Sequence, residues 1–111
     1  MKLRWRATHF PPSPPKQNDG ICLDGEATVG RVLLNDHGPT RGVWMWSMTA
    51  CAPGVDARAF EVSGRLATKE EAKAAVERAY ASFIAANPKA RDHWQKHCAE
   101  LEARMARFRG A

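Results

Sequence analysis

The chain has 111 residues and a formal net charge of +5, with 44% hydrophobic and 26% charged residues. This length suits one domain with its own core, and the composition is too apolar for a disordered chain. Three cysteines at unrelated spacings argue against a disulfide framework, and the sequence contains neither a membrane-spanning apolar run nor a signal peptide. We therefore expect a cytoplasmic protein with no membrane partner.

Residues 2–9 alternate basic and apolar side chains, which predicts an edge strand with one basic face. Residues 10–20 contain four prolines and end in an Asp-Gly turn signal, so they predict a stiff, extended connector. A ligand for a proline-binding groove is the alternative for this segment. Residues 1–26 are thus assigned to an N-terminal basic strand and a Pro-rich connector.

Three further strands are predicted at residues 27–34, 43–52 and 59–66, separated by turn signals rich in Gly, Pro and Asn. In the second of them, Trp44, Trp46 and Met48 share one face, as the period of two in a strand requires. The other face of the sheet is largely polar. This alternation is typical of an antiparallel sheet that a helix covers on one side only.

Thr68 followed by Glu71 has the spacing of a capping box and predicts a helix from Lys69 to about Ala86. Its broad apolar stripe would cover the sheet. Asn87-Pro88 predicts the start of a second helix that runs to about Arg109. The expected fold is α+β, a three-stranded antiparallel sheet packed on one helix over residues 27–86, followed by a long basic amphipathic helix over residues 87–111.

The apolar residues of the second helix form a seam narrower than a sheet-covering helix needs. The proposed interface residues in this seam are Trp94, Leu101, Met105 and Phe108. The helix either folds back on the first helix as a hairpin or pairs with a partner or a second copy of the chain. A homodimer through this helix is therefore one expectation.

No group of residues indicates catalysis, and we expect no enzyme activity, no cofactor and no metal. His93 and His97 are spaced to share a helix face, but they lack the Glu of the zinc protease pattern. Cys51 and His37 could supply a nucleophile and a base, yet no activating residues accompany them. Whether the two helical histidines bind a metal stays open.

Positive charge concentrates at the two ends of the chain. No acid precedes Asp19, and residues 87–111 carry six basic side chains against three acidic ones. Such clusters suit a polyanion or an acidic protein surface. For the last arginines of the chain, stabilisation of a helix C-terminus is the alternative explanation.

The Trp44-Met-Trp46 strand, followed by a strand that leads through Gly64-Arg-Leu-Ala-Thr68 into an Ala-rich helix, resembles the plant AP2 domain and the arm-binding domains of phage integrases. It is also similar to short bacterial and phage proteins of unknown function. The first resemblance implies that the polar sheet face enters the major groove of DNA. By position, the contacting residues would be Arg31, Arg41, Met45, Ser47, Glu61, Ser63 and Arg65.

We therefore expect a small nucleic-acid-binding accessory protein, for DNA or RNA, that contacts phosphates through its basic ends and polar sheet face. The candidate residues are Lys2, Arg4, Arg6, Arg31, Arg41, Arg65, Arg104, Arg107 and Arg109. The alternative is a protein interaction module, encoded by a phage or mobile element, that inhibits or adapts a host machine.

Overall fold

The computed structural model describes residues 2–8, 16–36 and 38–110, apart from the side chains of residues 16, 17, 40, 57, 109 and 110. An antiparallel sheet of five strands precedes two helices, which confirms the predicted α+β class. The strands lie side by side in chain order and are β1 (Leu3–Thr8), β2 (Lys16–Asp24), β3 (Ala27–Leu34), β4 (Trp44–Met48) and β5 (Ser63–Leu66). The helices are α1 (Lys69–Ala86) and α2 (Ala90–Gly110).

The prediction of a three-stranded sheet is wrong, because β1 and β2 pair with β3 in the same sheet. β1 corresponds to the predicted edge strand, but the start of β2 falls in the predicted connector. Residues 18–20 of β2 read Asn-Asp-Gly, a sequence that is typical of a turn. Here Asp19 is buried and bound by Thr8 of β1 and Arg31 of β3, so tertiary contacts hold the segment extended. The Pro-rich residues 11–15 lie outside the described residues.

The last two strands are shorter than predicted, since β4 ends at Met48 rather than at Ala52 and β5 begins only at Ser63. Ala57–Ala59 form a single 3₁₀ turn instead of extended chain. Asp56 caps this turn, because its carboxylate accepts a hydrogen bond from the backbone N–H of Arg58 at 2.9 Å. A local cap therefore outweighs the alternating pattern that predicts a strand here.

Helix α1 begins and ends where the sequence predicts. The Thr68 hydroxyl accepts a hydrogen bond from the Glu71 backbone N–H at 3.2 Å and donates one to the Glu71 carboxylate at 2.9 Å. The predicted apolar stripe is buried against the sheet and comprises Ala72, Ala75, Val76, Ala79, Tyr80 and Phe83. Gly30 of β3 lets the helix approach the strand, because a Cβ there would lie 2.3 Å from Val76 Cγ1.

Helix α2 is attached to the sheet by residues in its N-terminal half. The Trp94 indole N–H donates to the backbone carbonyl of Thr28 at 2.9 Å, and the Gln95 amide donates to that of Asp24 at 3.3 Å. Trp94 therefore packs within the folded unit. Further along the helix, Leu101, Met105 and Phe108 are 40%, 53% and 80% exposed.

A buried carboxylate joins both helices to the turn between β2 and β3. Asp24 is 1% exposed and accepts hydrogen bonds from the Tyr80 hydroxyl at 2.6 Å and from the Arg91 guanidinium at 2.6 and 2.9 Å. The hydrogen bonds from Arg91 hold the pKa of Asp24 below its usual range. Burial, with the hydrogen bond to Asp24, raises the pKa of Tyr80. These hydrogen bonds anchor the start of α2 to the end of β2 and to α1.

Candidate nucleic-acid interface

The face of the sheet opposite α1, here called the outer face, presents one residue from every strand in a straight row. Arg6 pairs with Ile21, Ile21 with Arg31, Arg31 with Ser47, and Ser47 with Ser63. Residues directly opposite one another in neighbouring strands project to the same side of the sheet. The row therefore carries two arginines and two hydroxyls on rigid backbone.

A second row on the outer face adds another arginine. Leu33 pairs with Met45, and Met45 with Arg65. From the spacing of strands and residues, we place the Cα atoms of Arg6 and Arg31 about 10 Å apart and those of Arg31 and Arg65 about 12 Å apart. Arg6, Arg31 and Arg65 thus form a diagonal basic band across the sheet.

Arg31 is held in place by the buried carboxylate of Asp19. The Arg31 Nε donates to Asp19 Oδ1 at 2.7 Å, Nη2 donates to the other carboxylate oxygen, and the Thr8 hydroxyl donates to Oδ1 at 2.8 Å. This hydrogen bonding raises the pKa of Arg31. The side chain of Arg31 remains 47% exposed, so a positioned guanidinium still reaches the outer face.

Arg4 lies at the edge of the outer face and is loosely engaged. It donates to the Gly25 carbonyl at 3.1 Å and to the Glu26 carboxylate at 3.0 Å. The Arg4 and Glu26 side chains are 59% and 96% exposed. An ion pair so open to water contributes little, so Arg4 can exchange Glu26 for another anion.

A shallow groove of about 370 Å³ runs along β3, β4 and β5 of the outer face. Arg31 and Arg65 flank it, and Ser47 and Ser63 supply hydroxyls between them. Met45, 38% exposed, adds an apolar contact. Two cations around hydroxyl donors form a suitable environment for phosphate oxygens.

Comparison of the chain with protein-family models, curated proteins and solved structures gives no match. The function is therefore inferred from the residues and their placement.

The structure brings together some of the residues proposed from the sequence and separates others. Arg6, Arg31 and Arg65 share the outer face. Arg41 lies in the turn before β4, Glu61 precedes β5, and Lys2 precedes β1. Arg104 and Arg107 are exposed on the far half of α2, and the side chain of Arg109 is not among those described. Arg104 and Arg107 thus belong to a different surface from the sheet.

Two residues that hold this surface together were not predicted from the sequence. Thr8 ends β1, and Asp19 stands in an Asn-Asp-Gly run that is typical of a turn. Only the pairing of β1 and β2 brings their side chains to Arg31. No spacing in the sequence could have indicated this contact.

The five-stranded sheet changes what the resemblance to groove-binding domains implies. Four spacings between strands make the outer face about 19 Å wide. The major groove of DNA is about 12 Å wide and admits an α-helix or a narrow β-ribbon. The whole outer face cannot enter the groove flat, although it can lie across the phosphates that border it.

Among the described residues, no three His, Cys, Asp or Glu side chains gather as a metal ion would require. His93 and His97 are exposed on α2, and the His97 ring lies 5.4 Å from that of Trp94. Of the proposed nucleophile and base, Cys51 is exposed and His37 lies outside the described residues.

Over the described residues, neither helix has an apolar stretch long enough for a bilayer.

Proposed function

We propose that this protein binds nucleic acid through phosphate contacts on the outer face of its sheet, as a non-enzymatic accessory protein. The observation that carries the proposal is the basic band of Arg6, Arg31 and Arg65 on rigid strands, with Ser47 and Ser63 between them. Two acids beside this band are paired, because Asp19 binds Arg31 and Glu26 binds Arg4. A polyanion would meet net positive charge there.

Recognition of base sequence is not expected from this surface. The apolar residues in the two rows are Ile21, Leu33 and Met45, so the rows supply no aromatic ring on which an unpaired base could stack. The width of the sheet also keeps most of its side chains away from base edges. Phosphate contacts fix the position of a protein on nucleic acid but carry no sequence information.

We expect binding to be strongly salt-dependent and nearly independent of sequence. If Lys2, Arg4, Arg6 and Arg65 neutralise about four phosphates, log affinity should fall with log salt at a slope of about −3 to −4 on duplex DNA. Arg31 adds little to this slope because it is already paired with Asp19. Fluorescence anisotropy with two labelled duplexes of unrelated sequence measures this slope. No binding to DNA or RNA at low salt would refute the proposal.

A second candidate function, a protein interaction module, is favoured by one specific observation. Leu101, Met105 and Phe108 form an exposed apolar strip on α2, and Arg104 and Arg107 lie beside it. Exposed apolar strips with polar rims commonly mark interfaces. The strip would suit a second copy of α2, or a partner surface with an apolar centre and acidic rim.

We expect the Leu101→Glu, Met105→Glu double variant to be a folded monomer if this strip forms a homodimer. Light scattering on wild type and variant measures the change in mass, and circular dichroism confirms folding. The matched control is Ala99→Glu, Ala103→Glu, which adds the same charge on the opposite side of α2 and should leave the mass unchanged. A monomeric wild-type protein would contradict the homodimer.

A further inference from the structure

A cleft of about 550 Å³ opens on the α1 side of the sheet, between the start of that helix and strands β1 and β2. Helix α1 lies mainly over β3, β4 and β5 and reaches β1 through Trp5, so the cleft opens near Ala7 and Gly20 of β1 and β2. Paired Ala7 and Gly20 form the floor. Ala7 is exposed there, whereas Gly20 is buried beside Trp5 and Val32.

Two indole rings and two lysines surround this floor. Trp5 of β1 and Trp44 of β4 line the cleft, and both are partly exposed. The Lys73 ammonium group lies 5.4 Å from the centroid of the Trp5 ring. The Lys69 ammonium group lies 5.6 Å from the centroid of the Trp44 ring. The two lysines are one helical turn apart, so both project toward the same cleft.

The charge around the cleft favours an anionic ligand. The acid in its lining, Asp19, is bound by Arg31 and Thr8 on the outer face. Glu77, one turn beyond Lys73, accepts a hydrogen bond from the Trp5 indole N–H at 3.4 Å. That bond orients the Trp5 ring and occupies its polar edge, and the Lys73 ammonium group lies over the ring.

We propose that this cleft binds a nucleotide, with the base against the indole rings of Trp5 and Trp44 and the phosphate at the ammonium groups of Lys69 and Lys73. A planar aromatic group suits a flat floor between two rings, and stacking on an aromatic side chain tolerates any base. The phosphate would form charge-assisted hydrogen bonds with the lysines. The volume of the cleft lies within the range of about 300 to 1,000 Å³ usual for small-molecule sites.

The nucleotide has two possible sources, a free mononucleotide or one residue of a single-stranded nucleic acid. Both present the same base and phosphate to the cleft. Binding here does not depend on the proposed function of the outer face, because the indole rings and ammonium groups that would hold the ligand lie on the α1 side of the sheet, although Arg6 of the basic band also borders the cleft. Lys73→Gln on α1 should therefore leave duplex binding unchanged.

Isothermal titration calorimetry of the full chain tests the proposal with four probes, namely 5′-AMP, adenosine, inorganic phosphate and a single-stranded tetranucleotide. We expect 5′-AMP or the tetranucleotide to bind with a Kd of about 1 mM or tighter. Adenosine and phosphate, each lacking half of the ligand, should bind at least about tenfold more weakly. If the tetranucleotide binds and 5′-AMP does not, the ligand is a nucleic acid chain. If both bind, the cleft accepts a free nucleotide as well.

Ala7→Phe is expected to abolish this binding, because Ala7 is exposed on the cleft floor and a ring there occupies the ligand space. Lys73→Gln keeps the shape but removes one charge and should weaken binding about tenfold. Ala74→Phe, an exposed position on α1 outside the cleft lining, is the matched control. If no probe binds the wild-type protein, or if binding survives in folded Ala7→Phe and Lys73→Gln proteins, the proposal is overturned.

Discussion

Replacing Arg91 with methionine is expected to lower the free energy of unfolding by about 2 to 3 kcal/mol, less than for a fully buried pair because the Arg91 side chain is 46% exposed. The substitution keeps an unbranched side chain but leaves the Asp24 carboxylate, with a side chain 2% exposed, without its cationic partner. The Tyr80 hydroxyl then remains as a neutral donor to that buried charge. Urea denaturation followed by circular dichroism measures the loss.

The matched control is Lys96→Met on the same helix. Lys96 pairs with Asp92 at 3.1 Å, but both side chains are more than 70% exposed, and such pairs contribute about 0 to 1 kcal/mol. Adding Asp24→Asn to Arg91→Met should recover part of the stability, because the stranded charge is removed. A loss below about 1 kcal/mol in Arg91→Met would show that Asp24 is not held as described.

The pH dependence of the free energy of unfolding tests the Asp24 cluster independently. In the wild-type protein the folded pKa of Asp24 is lowered, so its contribution to stability is present above the unfolded pKa, about 3.9, and is lost as pH falls. In Arg91→Met, burial is the largest influence left on the pKa of Asp24, opposed by the hydrogen bond from Tyr80, so we expect the folded pKa of Asp24 to rise above the unfolded value. The deficit of the variant relative to wild type should therefore shrink as pH falls from 7 toward about 4.

The double substitution Arg6→Glu, Arg65→Glu is expected to weaken nucleic-acid binding about 100-fold near 0.1 M salt, since each phosphate contact contributes about tenfold there. The slope of log affinity against log salt should become about two units shallower. Both side chains are exposed on edge strands, so the fold should be retained. Anisotropy titrations at several salt concentrations measure both effects.

Arg78→Glu, Lys89→Glu is the control for that experiment, because it changes the net charge equally at exposed positions away from the outer face. It should weaken binding far less. Equal losses in the two double variants would mean that net charge, rather than the arrangement on the sheet, governs binding.

Local signals in the sequence predict most of the helical half of this fold. Thr68 and Glu71 are three residues apart and mark the start of α1 without help from the rest of the chain. The period of two through Trp46 and Met48 likewise predicts which side of β4 is buried. Such features depend on neighbours along the chain, which a sequence shows directly.

Features that depend on distant residues could not be predicted in the same way. Asp24 and Arg91 are 67 residues apart, and nothing in either local sequence indicates their pairing. Trp94 fits an interface pattern as well as it fits packing, and its hydrogen bond to β3 could not be read from the sequence. The outer face also depends on distant residues. Its arginines are candidates from the sequence, but only the register of all five strands shows that they lie side by side.

Amide chemical-shift mapping by nuclear magnetic resonance, during titration with a short duplex at low salt, tests most directly whether nucleic acid binds the outer face. The predicted result is a set of shifts centred on Arg6, Arg31, Ser47, Ser63 and Arg65, with the amides of α1 unchanged. Shifts confined to residues 101–108 of α2, or spread evenly over every basic residue, would contradict the assignment of this surface.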